Sequence, residues 1–232
     1  LAPRSQITDL APFIEAEGGQ AFLDENYTPK MAALGQIDSK QYGLPVNASS
    51  PIIYVNADLV RQAGGDPENM PDTFDGLVEL AAKIDALDPR YAGMGYDIGG
   101  WPDDWLWQAL IFQQGGQLVD AQTGTVAFDG ETGLNAMKLV RRFVTEGGQE
   151  MLDWDQSRQQ FGAGLTGFIF STPAHVQTIE GLVGERFELT TATFPLENKE
   201  TGGVPTGGNS AVILTQDPAH QQAAWKYLKW IT

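Results

Sequence analysis

Helical segments, two of them closed by paired glycines, alternate along this chain with short strand-length runs. Leu134, Met137, Val140 and Val144 recur at spacings of three and four, and Gly147-Gly148 ends that segment. Trp101-Pro102-Asp103-Asp104-Trp105-Leu106-Trp107 opens another, with acidic residues in the first turn to suit the helix dipole, and Gly115-Gly116 stops it. Thr73 is placed to cap a helix whose apolar face is Phe74, Leu77, Val78, Ala81 and Ile84. Between such segments lie strand-length runs: Ile52 to Val55, Thr166 to Phe170, Phe187 to Phe194 ending at Pro195, and Ala211 to Leu214. Ser171-Thr172-Pro173 reads as the start of a further helix. Asp217-Pro218 caps a closing helix with Ala224, Tyr227, Leu228 and Ile231 on one face. Alternation of this kind predicts an α/β architecture.

A chain of 232 residues makes one large or two small domains, and 42% hydrophobic against 19% charged residues is the balance of a folded globular protein. Thirty acidic against fourteen basic residues leave a net charge of −16, which repels nucleic-acid phosphates and anionic lipid headgroups; no nucleic-acid partner is expected. No apolar run reaches the roughly eighteen residues of a membrane-spanning helix. With no cysteine, disulfides, thiolate metal sites and a cysteine nucleophile are excluded, as suits an oxidising envelope compartment. Leu1-Ala2-Pro3-Arg4 has neither a basic n-region nor an apolar h-region, so no signal peptide is visible and the true N-terminus is expected upstream.

Neither the phosphate-loop pattern nor the Gly-x-Ser-x-Gly elbow occurs. Gly93-Met94-Gly95 with Gly99 approaches a dinucleotide loop, but its third glycine falls one place late and no suitable acidic residue follows. No cofactor is therefore expected. The two histidines, His175 and His220, lie far apart in sequence and do not suggest a metal site. Asp103-Asp104 and Asp153 with Asp155 have two readings, as acid and base pairs or as ordinary dipole partners at helix starts; the second suits their positions better.

Tryptophan is more telling, because three of the six crowd into Trp101, Trp105 and Trp107 just after Gly99-Gly100. An indole face stacks on the C–H face of a sugar or polyol while nearby carboxylates and amides take its hydroxyls, so Trp101, Asp103 and Trp105 form a candidate platform. The competing reading places Trp105 and Trp107 in the core. Asn47, Ser49 and Ser50, in what reads as a polar loop before Pro51, either face a ligand or form an Asx or Ser turn. Gly207, Gly208, Asn209 and Ser210 divide in the same way, between backbone donors and a tight turn.

Gly43-Leu44-Pro45, then Asn47-Ala48-Ser49-Ser50-Pro51-Ile52-Ile53-Tyr54-Val55-Asn56-Ala57-Asp58-Leu59, then Ala63-Gly64, resemble the family 1 extracellular solute-binding proteins, the capture subunits of ABC importers. Pro71 to Leu77, Gly115-Gly116, Phe161-Gly162, Gly167-Phe168-Ile169, Pro195, Gly207-Gly208 and Ala223 to Leu228 continue the resemblance in the same order. Within the family, the Asn-x-Ser-Ser-Pro and Gly-Trp elements are most similar to the glycerol-phosphate-binding branch. The resemblance implies a type II periplasmic-binding-protein-like fold of two lobes, closure over a small ligand, residence on the periplasmic or extracellular face, and delivery to a membrane permease driven by a separate ATPase. It carries ligand contact onto Asn47 to Ser50, Trp101, Trp105, Ser171, Thr172 and Gly207 to Ser210.

It further implies a truncated first lobe, residues 1–54 and 205–232, and most of a second, residues 55–204, since family members extend beyond both ends of this sequence. The expected function is capture of a small carbohydrate or polyol by a monomer, without catalysis. Glycerol-3-phosphate or a glycerophosphodiester is the alternative ligand, and a glycoside hydrolase using Asp103 or Asp153 the alternative class.

Overall fold

The computed structural model describes residues 6–97 and 103–232. The chain forms two compact units, the first from residues 1–49 and 206–232, the second from residues 50–205. Unit 1 opens with short helices α1 (Ala11–Ala16), α2 (Gln20–Asn26) and α3 (Pro29–Ala33), then strands β1 (Gln36–Ile37), β2 (Lys40–Gln41) and β3 (Gly43–Ser49). Unit 2 follows with β4 (Ile52–Asn56), α4 (Ala57–Gln62), α5 (Phe74–Asp85), β5 (Ala92–Gly95), α6 (Asp103–Phe112), α7 (Glu131–Thr145), α8 (Trp154–Gly162), β6 (Thr166–Ser171), α9 (Val176–Val183) and β7 (Leu189–Thr193). Return to unit 1 is through β8 (Gly207–Val212) and α10 (Pro218–Ile231).

The unit 2 sheet has strand order β5-β6-β4-β7, with β5 and β6 parallel and β4 antiparallel to both its neighbours. β6 is buried along its whole length, which is why Thr166 to Ser171 reads as a continuous apolar run rather than an alternating one. β7, at the edge, alternates between partly buried and exposed positions. Helix α5 starts where expected, because Thr73 Oγ1 accepts from the Gly76 amide at 3.2 Å, and all five apolar residues assigned to its face are buried. Phe74, Tyr96, Phe143, Phe170 and Phe194 meet over the sheet with ring centroids as close as 4.6 Å, each burial contributing about 2 kcal/mol.

Two helices turn differently from their apolar periodicity. In α7, Leu134, Met137 and Val144 are exposed, and the inward stripe is Gly133, Ala136, Val140 and Phe143. The small residues let the helix approach closely: a Cβ on Gly133 would stand 1.9 Å from the Phe128 carbonyl oxygen. In α10, Tyr227 is exposed and Trp225 takes the inward position beside Leu228. The glycine stop after α7 is enforced, since Gly148 has φ +63° and a Cβ there would lie 2.3 Å from the Asp85 carboxylate.

Unit 1 packs Leu10, Ile14, Leu23, Leu44, Ile213 and Leu228 around Trp225, whose ring is flanked by Phe13 and Phe22 at 5.6 and 6.0 Å. The Trp225 indole donates to Glu17 Oε1 at 3.2 Å, and Lys229 pairs with the same oxygen. β3 and β8 form a two-stranded antiparallel ladder with a register shift between Pro45 and Asn47. The segment expected as a polar loop is therefore strand through Ser49, and the last strand begins at Gly207 rather than Ala211. Backbone pairing, which needs no apolar side chains, overrides their polar composition.

Candidate functional site

Because β5 and β6 are parallel, their carboxyl ends emerge on the same side of the unit 2 sheet. β4 runs the other way and begins there, with Ile52 the register partner of Ser171. Ser50, Asp97 and Thr172 therefore leave one end of the sheet, the position at which open α/β sheets gather ligands.

Buried hydrogen bonds hold this end in place. Gln149 clamps the residue after β5 from both sides, accepting from the Tyr96 amide at 3.0 Å and donating to its carbonyl at 2.8 Å. The Tyr96 hydroxyl donates to the Leu106 carbonyl at 2.8 Å and so ties β5 to α6. Tyr54, fully buried on β4, donates to the Thr172 carbonyl at 2.9 Å. Burial, helped by the negative charge of Glu180, pushes the Tyr54 phenol up to about 12, so it remains a donor at neutral pH.

The Thr172 hydroxyl caps the turn that follows, accepting from the Ala174 amide at 3.3 Å. Ser171 is fully buried, with its hydroxyl 3.3 Å from His175 Nδ1. The His175 ring meets the Trp154 indole edge-on at 5.4 Å, and the Arg158 guanidinium lies 5.3 Å from the centre of that indole. Burial, and secondarily the Arg158 charge, draw the His175 imidazole below its ordinary range. Trp154 sits at the first position of α8 because Asp153 and Gln156 form a reciprocal capping box there. Asp153 and Asp155 are not an acid pair: Asp153 is a helix cap, and Asp155 pairs with Arg158.

Asn47, Ser49 and Gly207 to Ser210 come together on the unit 1 ladder, where Asn47 faces Asn209, Ala48 faces Gly208 and Ser49 faces Gly207. Asn47 Oδ1 accepts from the Asn209 amide at 2.9 Å, and Asn47 and Asn209 are both exposed. Gly208 has φ +138°, and a Cβ there would stand 2.3 Å from the Asn47 carbonyl oxygen, so this close strand approach requires glycine.

Trp101 lies outside the described residues. Asp103 begins α6. Trp105 packs against the unit 2 core, as does Trp107, and the Trp105 indole nitrogen is buried with no hydrogen-bond partner among the described residues. The sequence left Tyr54, Trp154, Arg158 and His175 unassigned; the one local signal was an indole directly after a helix cap at Asp153-Trp154.

A cavity of about 370 Å³ opens elsewhere on unit 2, lined by Phe74, Asp75, Gln113, Lys138, Arg142 and Glu197 among others. None of the residues assigned from sequence lines it, and Arg142 spends its charge on Asp75 and Glu146. Among the described residues, no group of three or more acidic or histidine side chains is placed to hold a metal ion. Nor is any described helix long and apolar enough to cross a membrane.

The sequence pattern of the bacterial extracellular solute-binding proteins matches residues 5–232. The chain belongs to this family. Among the relatives of this solute-binding protein, a binding protein of Brucella abortus (strain 2308) is 27% identical over 200 residues, covering 84% of this chain and 47% of the relative. The sn-glycerol-3-phosphate-binding periplasmic protein of Escherichia coli (strain K12) is 37% identical over 92 residues, covering 37% of this chain and 20% of its own. An ABC transporter solute-binding protein from Thermotoga lettingae, solved with α-D-tagatose, superposes with a TM-score of 0.80 at 21% identity, covering 99% of this chain and 58% of that one. The fold is therefore that of the type II periplasmic sugar-binding proteins. This chain spans about half the length of the Brucella relative. Family membership places it with proteins that bind substrates rather than with enzymes.

Proposed function

We propose that this chain belongs to the substrate-binding component of an ABC importer, capturing a small carbohydrate or polyol on the periplasmic or extracellular face and passing it to a membrane permease. The observation that carries this reading is the family pattern over residues 5–232, and it is supported by the sheet end of unit 2, where Ser50 and Thr172 leave together beside a turn fixed by Tyr54. The Trp105 indole N–H finds no acceptor among the described residues, and a buried donor left unpaired costs about 1–3 kcal/mol, which supports an acceptor arriving with the ligand. We assign ligand contact to Ser50, Trp101, Asp103, Trp105 and Thr172 of unit 2 and to Asn47, Ser49, Gly207, Gly208, Asn209 and Ser210 of unit 1. Ser171 acts from behind this surface through its hydrogen bond to His175.

Glycerol-3-phosphate is the second reading, favoured by the 37% identity over 92 residues with the Escherichia coli protein. Against it, the Arg158 guanidinium, whose charge acts on His175 in the turn after Thr172, is already paired with Asp155, and a net charge of −16 repels an anion at long range. Mass spectrometry of ligand co-purified with the protein, followed by thermal-shift measurements on a sugar and polyol panel, tests the proposal. A neutral polyhydroxylated ligand that raises the melting temperature is expected, associating at a rate nearly independent of salt. Association that accelerates several-fold from low to physiological salt would point to the phosphorylated ligand instead.

A further inference from the structure

The cluster behind Thr172 is built from groups that a passive binding surface does not need. Thr172 is joined to His175 by a single turn, in which the His175 amide donates to the Thr172 carbonyl at 3.0 Å and Thr172 Oγ1 accepts from Ala174. The imidazole is anchored on the other side through Ser171, the buried last residue of β6. Around it lie the Trp154 indole and the Arg158 guanidinium from α8, Ser171 from β6, and, through the Thr172 carbonyl, the neutral Tyr54 phenol from β4. Asp155 pairs with Arg158, and Glu180 of α9 exerts its charge on Tyr54. The charge that acts on the imidazole directly is the positive one of Arg158.

We propose that the Thr172–Val176 turn is a proton-sensitive element of the ligand surface, with His175 as its positioning residue: neutral imidazole holds the turn closed, and protonation releases it and weakens ligand binding. This rests on the reading of Thr172 as a ligand contact. With the ring neutral, Nδ1 and the Ser171 hydroxyl share one proton in their hydrogen bond. Protonation forces Nδ1 to donate, turns the Ser171 hydroxyl proton away from the ring, and sets a second cation beside Arg158 in a half-buried place. Each change is relieved by moving the imidazole out toward solvent, which gives up the Ser171 anchor and leaves the turn held only by the Ala174 and His175 amides on Thr172. Acidification through and below the ordinary imidazole range should therefore loosen this turn selectively.

The test has a ligand-free readout and a binding readout. The chain has only two histidines, so NMR titration of the intact protein carrying His220→Gln follows His175 alone. His175 is expected to titrate below the ordinary imidazole range. At about pH 5, amide exchange of Ala174 and His175 should be at least about threefold faster than in the same protein with His175→Gln, whose side chain hydrogen-bonds but does not titrate; at about pH 7.5 the two should agree. Titration at or above the ordinary range, or equal exchange in both proteins at both pH values, overturns the proposal. Calorimetry with D-tagatose should then show affinity falling on acidification in the wild type and holding in His175→Gln. Parallel pH slopes in the two would break the link to binding and overturn the proposal as well. If D-tagatose binds neither protein, that counts against the ligand class proposed above, while the exchange result still decides whether the turn senses protons.

Discussion

Replacing Gln149 with leucine removes both hydrogen bonds that clamp Tyr96 while keeping most of the side-chain volume. Gln149 and Tyr96 are 7% and 0% exposed, so water cannot take over the stranded amide and carbonyl. Each buried group left without a partner costs about 1–3 kcal/mol, so the substitution should destabilise unit 2 by about 2–5 kcal/mol. With a urea slope of about 2–3 kcal/mol per molar, the unfolding midpoint should fall by about 1–2 M. Because Tyr96 also anchors Leu106 in α6, ligand affinity should fall with it, through displacement of α6. Equilibrium unfolding by circular dichroism, together with calorimetry on the same sample, measures both effects. A midpoint shift below about 0.3 M would show that the backbone finds other partners and that the clamp is not what fixes this end of the sheet.

Gly208→Ala should part the β3–β8 ladder at Asn47 and cost about 2–4 kcal/mol, read as lost amide protection across both strands in hydrogen exchange. Thr73→Ala should cost about 1 kcal/mol through loss of the α5 cap, measured by thermal unfolding, with Thr73→Ser close to wild type. Glu17 is held below the usual carboxylate range, first by Lys229 and then by Trp225, so its contribution is present at neutral pH and is lost as pH falls through that lowered value. Glu17→Gln should flatten the acid limb of the unit 1 stability profile, and an unchanged profile would discount the pairing. Trp154→Ala should leave the His175 environment open to solvent and move its NMR titration midpoint up toward the ordinary imidazole value.

Much of unit 2 was legible because its elements announce themselves locally. Thr73 before Phe74 gives both a cap and a phase, and Ile52 to Val55 and Thr166 to Phe170 are apolar enough to leave no choice but buried strand. Reading failed where the decisive interaction was not in the side chains. Asn47 to Ser49 and Gly207 to Ser210 are polar, so they read as loops, yet they pair through the backbone with each other across a separation no local pattern spans. α7 presents two overlapping stripes, and periodicity favours the one with the larger residues; close packing at Gly133 and Ala136 selects the other. Ser171 was assigned from resemblance alone, and its burial under His175 is tertiary information. Trp154, His175 and Arg158 converge from α8 and the turn after β6, a meeting invisible until the sheet brings those elements together.

The chain enters unit 2 after Ser49 and leaves it before Thr206, and Ser49 is the ladder partner of Gly207. The whole of unit 2 is thus an uninterrupted insertion whose two attachment points are neighbours. In engineering terms it is a cassette: the segment can be excised as one piece and the gap bridged by a tight turn of two or three residues, about the length a hairpin needs. For the same reason a homologous segment can be grafted between Ser49 and Thr206 without re-threading unit 1, so this boundary is where relatives could exchange one unit and keep the other intact.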